Sequence, residues 1–157
     1  MTKNENIKIR IIISYSLLVF WAVVIFLFSA KDADASTEQS NIILQIISRI
    51  TGITMQENAF WAVMETIVRK LAHLSIYLVL GFLATNALRY TAVSRKEFKY
   101  ALIICVLYAI SDEVHQYFVP GRACRFYDVI VDTFGACIGI SMFSVIRKHY
   151  LKLFKRS

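Results

Sequence analysis

At 157 residues the chain has room for one domain, and residues 1–157 are read as a single unit. Its 57% apolar content exceeds the roughly 45–50% of soluble domains and gathers into blocks, which excludes an ordinary water-soluble core. The net charge of +7 lies between those blocks without aromatic platforms, which excludes a nucleic-acid surface.

The first block, residues 11–29, carries no charge and matches the ~20 helical residues that a bilayer core of ~30 Å demands. Lys3, Lys8 and Arg10 precede it and Ala33-Asp34-Ala35 has the look of a cleavage site, so a signal peptide competes. Signal peptides have apolar cores of only about 7–15 residues, and the block is read as an uncleaved anchor. In residues 30–70, Ile43, Ile46, Ile47 and Ile50 follow helical spacing until Thr51-Gly52 breaks it. A second apolar stretch, 59–68, runs on into the next span. The region predicts one or two amphipathic helices lying on the outer membrane surface or dipping into it.

Residues 71–88 form a second span and 100–118 a third, which turns polar at Ser111-Asp112-Glu113-Val114-His115-Gln116. Val119-Pro120-Gly121-Arg122 predicts a tight turn. The fourth span, 126–146, is apolar except for Asp128 and Asp132 near its start. The fold class is therefore all-α: a polytopic membrane protein of about four transmembrane helices with an extracytoplasmic amphipathic segment. Gly135-x-x-x-Gly139 predicts close helix packing. Trp21, Trp61, Tyr90, Tyr100 and Tyr150 fit interfacial belts. Cys105 and Cys137 fall in apolar blocks and read as packing residues, whereas Cys124 lies in a polar loop as a free thiol.

Basic residues set the orientation. Lys3, Lys8 and Arg10, the loop Arg89, Arg95, Lys96 and Lys99, and the tail Arg147, Lys148, Lys152, Lys155 and Arg156 all fall on one side of a four-span chain. Both termini are thus expected in the cytoplasm of a multi-pass protein of the cell membrane. The positive charge is a topology signal, and the tail suits anionic headgroups.

The ionisable residues then meet at one level near the outer surface. Arg69 and His73 lie a turn apart, with Lys70 beside them and Tyr77 a turn deeper. Asp112, His115 and Gln116 share a face, with Tyr108 below and Glu113 turned aside, while Asp128 and Asp132 are a turn apart on the fourth span. Charges in a bilayer cost about 2.5–3.5 kcal/mol each even on lenient scales, so these groups should face one another or a water-filled hollow. Three readings follow. In a structural one, Arg69 and Arg122 neutralise Asp112, Asp128 and Asp132 and lock the helices, though buried ion pairs stabilise poorly. In a binding one, Arg69, Lys70, Arg122 and Arg125 hold the phosphate of a membrane lipid or a lipid-linked envelope precursor, with Glu113, Gln116 and Asp132 completing the pocket. In a catalytic one, His73, Asp112, His115 and Asp128 act as a general acid–base set or as ligands to a divalent metal. No HxxxH or HxxE pattern singles out the metal, and Ser75, Ser111 and Tyr77 are nucleophile candidates by proximity alone.

These residues resemble the VanZ-like family of bacterial membrane proteins. The resemblance rests on Arg69-Lys70-x-x-His73 followed by Tyr77 and Gly81, and on Asp112-Glu113-x-His115-Gln116-x-Phe118-Val119-Pro120-Gly121-Arg122. Asp128-x-x-x-Asp132-x-x-Gly135-x-x-x-Gly139 and an early Phe28-Ser29 complete it, so that it covers about residues 19–146. Two departures stand out: many relatives carry a Glu next to the position of Ile76, and Asp132 stands where relatives often have Asn. The resemblance implies a role at the bacterial cell envelope associated with resistance to the glycopeptide teicoplanin. Oligomeric state and reaction stay open at this point.

Overall fold

Long runs of Leu, Ile, Val and Phe without proline favour helices, because a helix satisfies its own backbone groups where lipid offers no partner. The sole proline, Pro120, falls in a turn. The computed structural model describes residues 2–54, 59–91 and 96–154. Those residues form α1 (Lys3–Ser29), α2 (Ala33–Thr51), α3 (Ala59–Leu88), α4 (Glu97–Tyr117) and α5 (Phe126–Phe154), with no strand among them. Helices α1, α3 and α5 are long and apolar enough to cross a membrane. Helix α4 covers the predicted third span in 21 residues; it is not in that group, and residues 111–116 make its last turns polar. Arg95, Lys155 and Arg156 of the predicted basic side lie outside the described residues.

Helix α3 decides between the one and two amphipathic helices expected of residues 30–70. Residues 59–70 continue the second span as a single helix of 30 residues, about 45 Å long at 1.5 Å per residue, so only α2 is a separate amphipathic element. Its Ser36, Ser40 and Leu44 are buried, whereas Ile42, Ile46, Ile47 and Ile50 point outward. It ends where Gly52 adopts a positive φ of 72° and its N–H bonds Ser48 O at 2.9 Å, a glycine-terminated helix end.

Helices α3 and α5 run parallel and pack closely, because glycine removes the side chain at the contact. A Cβ on Gly135 would strike the Leu74 carbonyl, one on Gly139 the Leu78 carbonyl, and one on Gly81 the Ala136 carbonyl. Helices α1 and α4 run the opposite way. At one end Asn86 donates to Ser14 (3.1 Å) and Arg147 pairs with Glu97 (3.0 Å); this is the basic end. At the other, Ser29 meets His115 and the Ala33 N–H reaches Pro120 O (3.4 Å).

Small residues fill the centre: Ala84, Ala101, Cys105, Ala109 and Ala136 are fully buried with Tyr77 among them. Outward faces are apolar, with Phe20 63% and Leu107 61% exposed, as a lipid-facing surface would be. Trp21 is no belt residue. Its indole N–H donates to Ile76 O at 2.8 Å, tying the half-buried ring on α1 to α3, and Trp61 is buried.

Candidate functional site

The turn after α4 follows from its sequence. The Arg122 N–H returns to Val119 O at 3.2 Å, Pro120 occupies the second position, and Gly121 takes φ 73° at the third, where glycine is favoured. This places Arg122 over the polar ends of α3, α4 and α5.

The parallel contact of α3 and α5 sets two rungs. On the outer rung Lys70 pairs with Asp128 and its ammonium lies 5.4 Å from the centre of the Tyr127 ring. On the inner rung His73 Nδ1 stands 3.4 Å from Asp132 Oδ1, too poorly aligned for a hydrogen bond. Asp112 enters from α4. His73, Asp112 and Asp132 each offer a ligand atom within 4.8 Å of the other two. Asp112 is held by hydrogen bonds from the Ser29 hydroxyl and from Gln116 Nε2 at 3.1 Å. Asp132 is fully buried, and neither carboxylate oxygen has a hydrogen-bond partner among the described residues; the same is true of the Tyr77 hydroxyl.

Several sequence-based placements change. Glu113 is turned aside from the Asp112 face but not into the open: it is 1% exposed and accepts the Arg125 N–H at 2.8 Å, a carboxylate seated at the start of α5 where the helix dipole favours it. His115 leaves the acid cluster for α1, with Nδ1 3.4 Å from Ser29 Oγ and its ring 4.6 Å from that of Phe26. Asp128 belongs to Lys70 on the outer rung. Arg69 does not neutralise the aspartates; it pairs with Glu65 one turn back and donates to Thr37 Oγ1 at 3.0 Å. The Glu65–Arg69 spacing is the ordinary helical ion-pair interval and was readable, whereas Thr37 reaches it only because α2 packs on α3. Tyr108 donates to Ala22 O at 2.6 Å. Ser75 and Ser111 spend their hydroxyls on Leu71 O (2.7 Å) and Tyr108 O (2.8 Å), which weakens both as nucleophiles.

Between α1, α2 and α3 lies a cavity of about 370 Å³. One end carries Arg69, His73, Asp112 and Arg122, and Ser29, Ser36, Gln39 and Ser40 line its polar side. Ile25, Phe28, Ile43, Val68 and Ile76 form an apolar wall. Lys70 and Arg125 are not part of it, so two of the four predicted phosphate ligands face the cavity. Arg122 closes no contact-distance ion pair among the described residues. Burial lowers its pKa, Arg69 adds to this, and Asp112, Glu113 and Asp32 oppose it from longer range. Two guanidiniums thus line one cavity end, and Arg69 disfavours the charge of Arg122, an arrangement that an anion between them would relieve.

A family model described as VanZ/LLP1 matches residues 14–147. No curated protein and no solved structure matches the chain.

Proposed function

The chain belongs to the VanZ/LLP1 family, and from that premise we propose that it binds a phosphate-bearing amphiphile in the cavity between α1, α2 and α3. The protein is read as a multi-pass protein of the bacterial cell membrane with four crossings and both termini in the cytoplasm. The amphiphile is a membrane lipid or a lipid-linked envelope precursor, and the role is envelope maintenance of the kind associated with teicoplanin resistance. One observation carries this: the cavity pairs Arg69 and Arg122 at one end with the wall of Ile25, Phe28, Ile43, Val68 and Ile76. Guanidiniums suit phosphate oxygens, and the apolar wall suits an acyl or prenyl chain. The outward isoleucines of α2 would rest in the same leaflet.

The test is mass spectrometry of lipid retained by the purified protein. Arg122→Ala removes a cation that closes no contact-distance ion pair among the described residues, so folding should persist while anionic lipid is lost. Arg69→Ala should act alike, with some added instability from the broken link to Glu65 and Thr37. Unchanged lipid content in both variants sinks the reading.

A second reading has one observation in its favour. His73 and Asp112 line the cavity's polar end, with buried Asp132 within 4.8 Å of both, where general acid–base residues would meet a headgroup. Under this reading the protein modifies that headgroup by phosphoryl or acyl transfer. Asp112→Asn would then keep the lipid but abolish any headgroup difference between wild-type and deletion cells. If cells with and without the gene have identical lipids, the enzymatic reading fails and binding stands.

A further inference from the structure

We propose that His73, Asp112 and Asp132 hold one divalent cation of the Zn²⁺ or Mn²⁺ class at the polar end of the cavity. The three side chains come from three different helices, and their ligand atoms lie within 4.8 Å of one another; donors to one ion at about 2.0–2.2 Å stand at most about 4.4 Å apart, so side-chain shifts of no more than a few tenths of an ångström bring all three onto it. Independent support comes from Asp132. Its side chain is 0% exposed and neither oxygen is hydrogen-bonded among the described residues. A buried carboxylate left that way carries a heavy desolvation cost unless a proton or a cation offsets it. Lys70 is paired with Asp128 and Arg69 with Glu65, and Arg122 makes no contact-distance pair with Asp132 among the described residues.

Asp112 is built as a metal-ligating carboxylate usually is. Ser29 and Gln116 hydrogen-bond it, and such outer partners orient a ligand and fix its lone pairs. The Tyr77 hydroxyl, buried and without a hydrogen-bond partner among the described residues, adds a polar neighbour from the helical turn below His73. One imidazole with two carboxylates is a mixed nitrogen–oxygen donor set. It suits Zn²⁺ or Mn²⁺ better than Mg²⁺ or Ca²⁺, which prefer oxygen throughout. Three protein donors leave coordination positions free for water or for an oxygen of a ligand in the cavity, which His73 and Asp112 also line. The site does not depend on the lipid reading, since its donors converge whatever occupies the cavity.

The experiment uses the full chain, purified in detergent, stripped with EDTA and titrated with Mn²⁺ while the EPR signal of the free ion is followed. The expected result is saturable uptake of one Mn²⁺ per chain, with nitrogen modulation in the pulsed EPR of the bound ion. His73→Gln should remove the nitrogen modulation, and Asp132→Asn should weaken binding by at least about tenfold. Asp132→Asn deletes a buried charge, so its melting temperature in EDTA should be no lower than that of the parent. If that variant fails to accumulate, the wild-type nitrogen coupling and its loss in His73→Gln decide the matter. Absence of a saturable site overturns the proposal, as does Mn²⁺ binding that survives both substitutions. Bound Mn²⁺ that couples to phosphorus but not nitrogen is an ion on retained phospholipid and overturns it equally. Unchanged lipid in Arg122→Ala and Arg69→Ala with saturable Mn²⁺ uptake would sink the lipid reading and leave this site standing, whereas lipid loss in those variants without any Mn²⁺ site would do the reverse, so the two readings fail separately.

Discussion

Trp21 separates a structural from an interfacial role at the scale of one side chain. An aromatic belt residue is stabilised by headgroups and contributes little within the protein. Here the indole N–H is given to Ile76 O inside the α1–α3 contact. Trp21→Phe deletes a hydrogen bond worth roughly 1 kcal/mol and leaves a gap beside it. The melting temperature of the detergent-purified protein should fall by several degrees, while Tyr150→Phe, at a residue 62% exposed, should leave it unchanged. Equal melting temperatures would return Trp21 to the belt. The same scale shows what was legible in the site. Arg69, His73 and Asp112 line one cavity with Arg122, the first three because helical spacing sets them at one depth and Arg122 because the Val119–Arg122 turn returns it over them. Glu113 and His115 do not, since a helix surrounded by neighbours buries more than one face. Glu113 lies about 100° around α4 from Asp112 and meets the start of α5, and His115 meets α1. Only the tertiary positions of α1 and α5 decide those assignments.

Two glycines make opposite predictions at the scale of helices. At Gly139 the obstacle to a side chain is the Leu78 carbonyl, a backbone atom of α3 that cannot rotate away. Gly139→Ala should therefore push α5 off α3, with a loss at or above the ~1–3 kcal/mol of overpacked cores, and should disturb the His73–Asp132 rung on the same interface. At Gly52 nothing lies within 4 Å of an added Cβ, but φ is 72°. Gly52→Ala should then cost about 1–2 kcal/mol, confined to the end of α2. Thermal unfolding of the two variants checks the order, and a smaller loss at Gly139 than at Gly52 would contradict the close contact. The glycine spacing in α5 was readable as a packing motif, and so was the Val119–Arg122 turn. The partner of those glycines was not, because the sequence does not say which of the other helices supplies the backbone. The run of 59–68 into the span was readable too, whereas the partners of Arg69 and Lys70 along the 30-residue α3 were not, because they come from α2 (Thr37) and α5 (Asp128).

For the whole molecule the decisive question is which way the site faces and how many helices cross. Three helices are long and apolar enough to span, and three crossings alone would put the termini on opposite sides. Helix α4, however, runs between the same two ends as its neighbours. Its Glu97 meets Arg147 of α5 (3.0 Å), while near its other end His115 meets Ser29 of α1 (3.4 Å). A helix bound at both levels should cross with the others. Lys8, Arg10, Arg89, Lys96, Lys99, Arg147 and Lys148 then gather at the end away from the cavity, which the positive-inside rule assigns to the cytoplasm. Cys124 provides a native reporter, because it is exposed in the α4–α5 connection while Cys105 is buried. A membrane-impermeant maleimide should label intact cells at Cys124, and Cys124→Ser should abolish that signal. In the Cys124→Ser background, Lys8→Cys and Lys148→Cys should both label only after permeabilisation. Labelling of one terminus without permeabilisation would mean an odd number of crossings. A Cys124 that stays silent until cells are opened would turn the cavity inward, where a lipid or precursor of the outer leaflet cannot enter it.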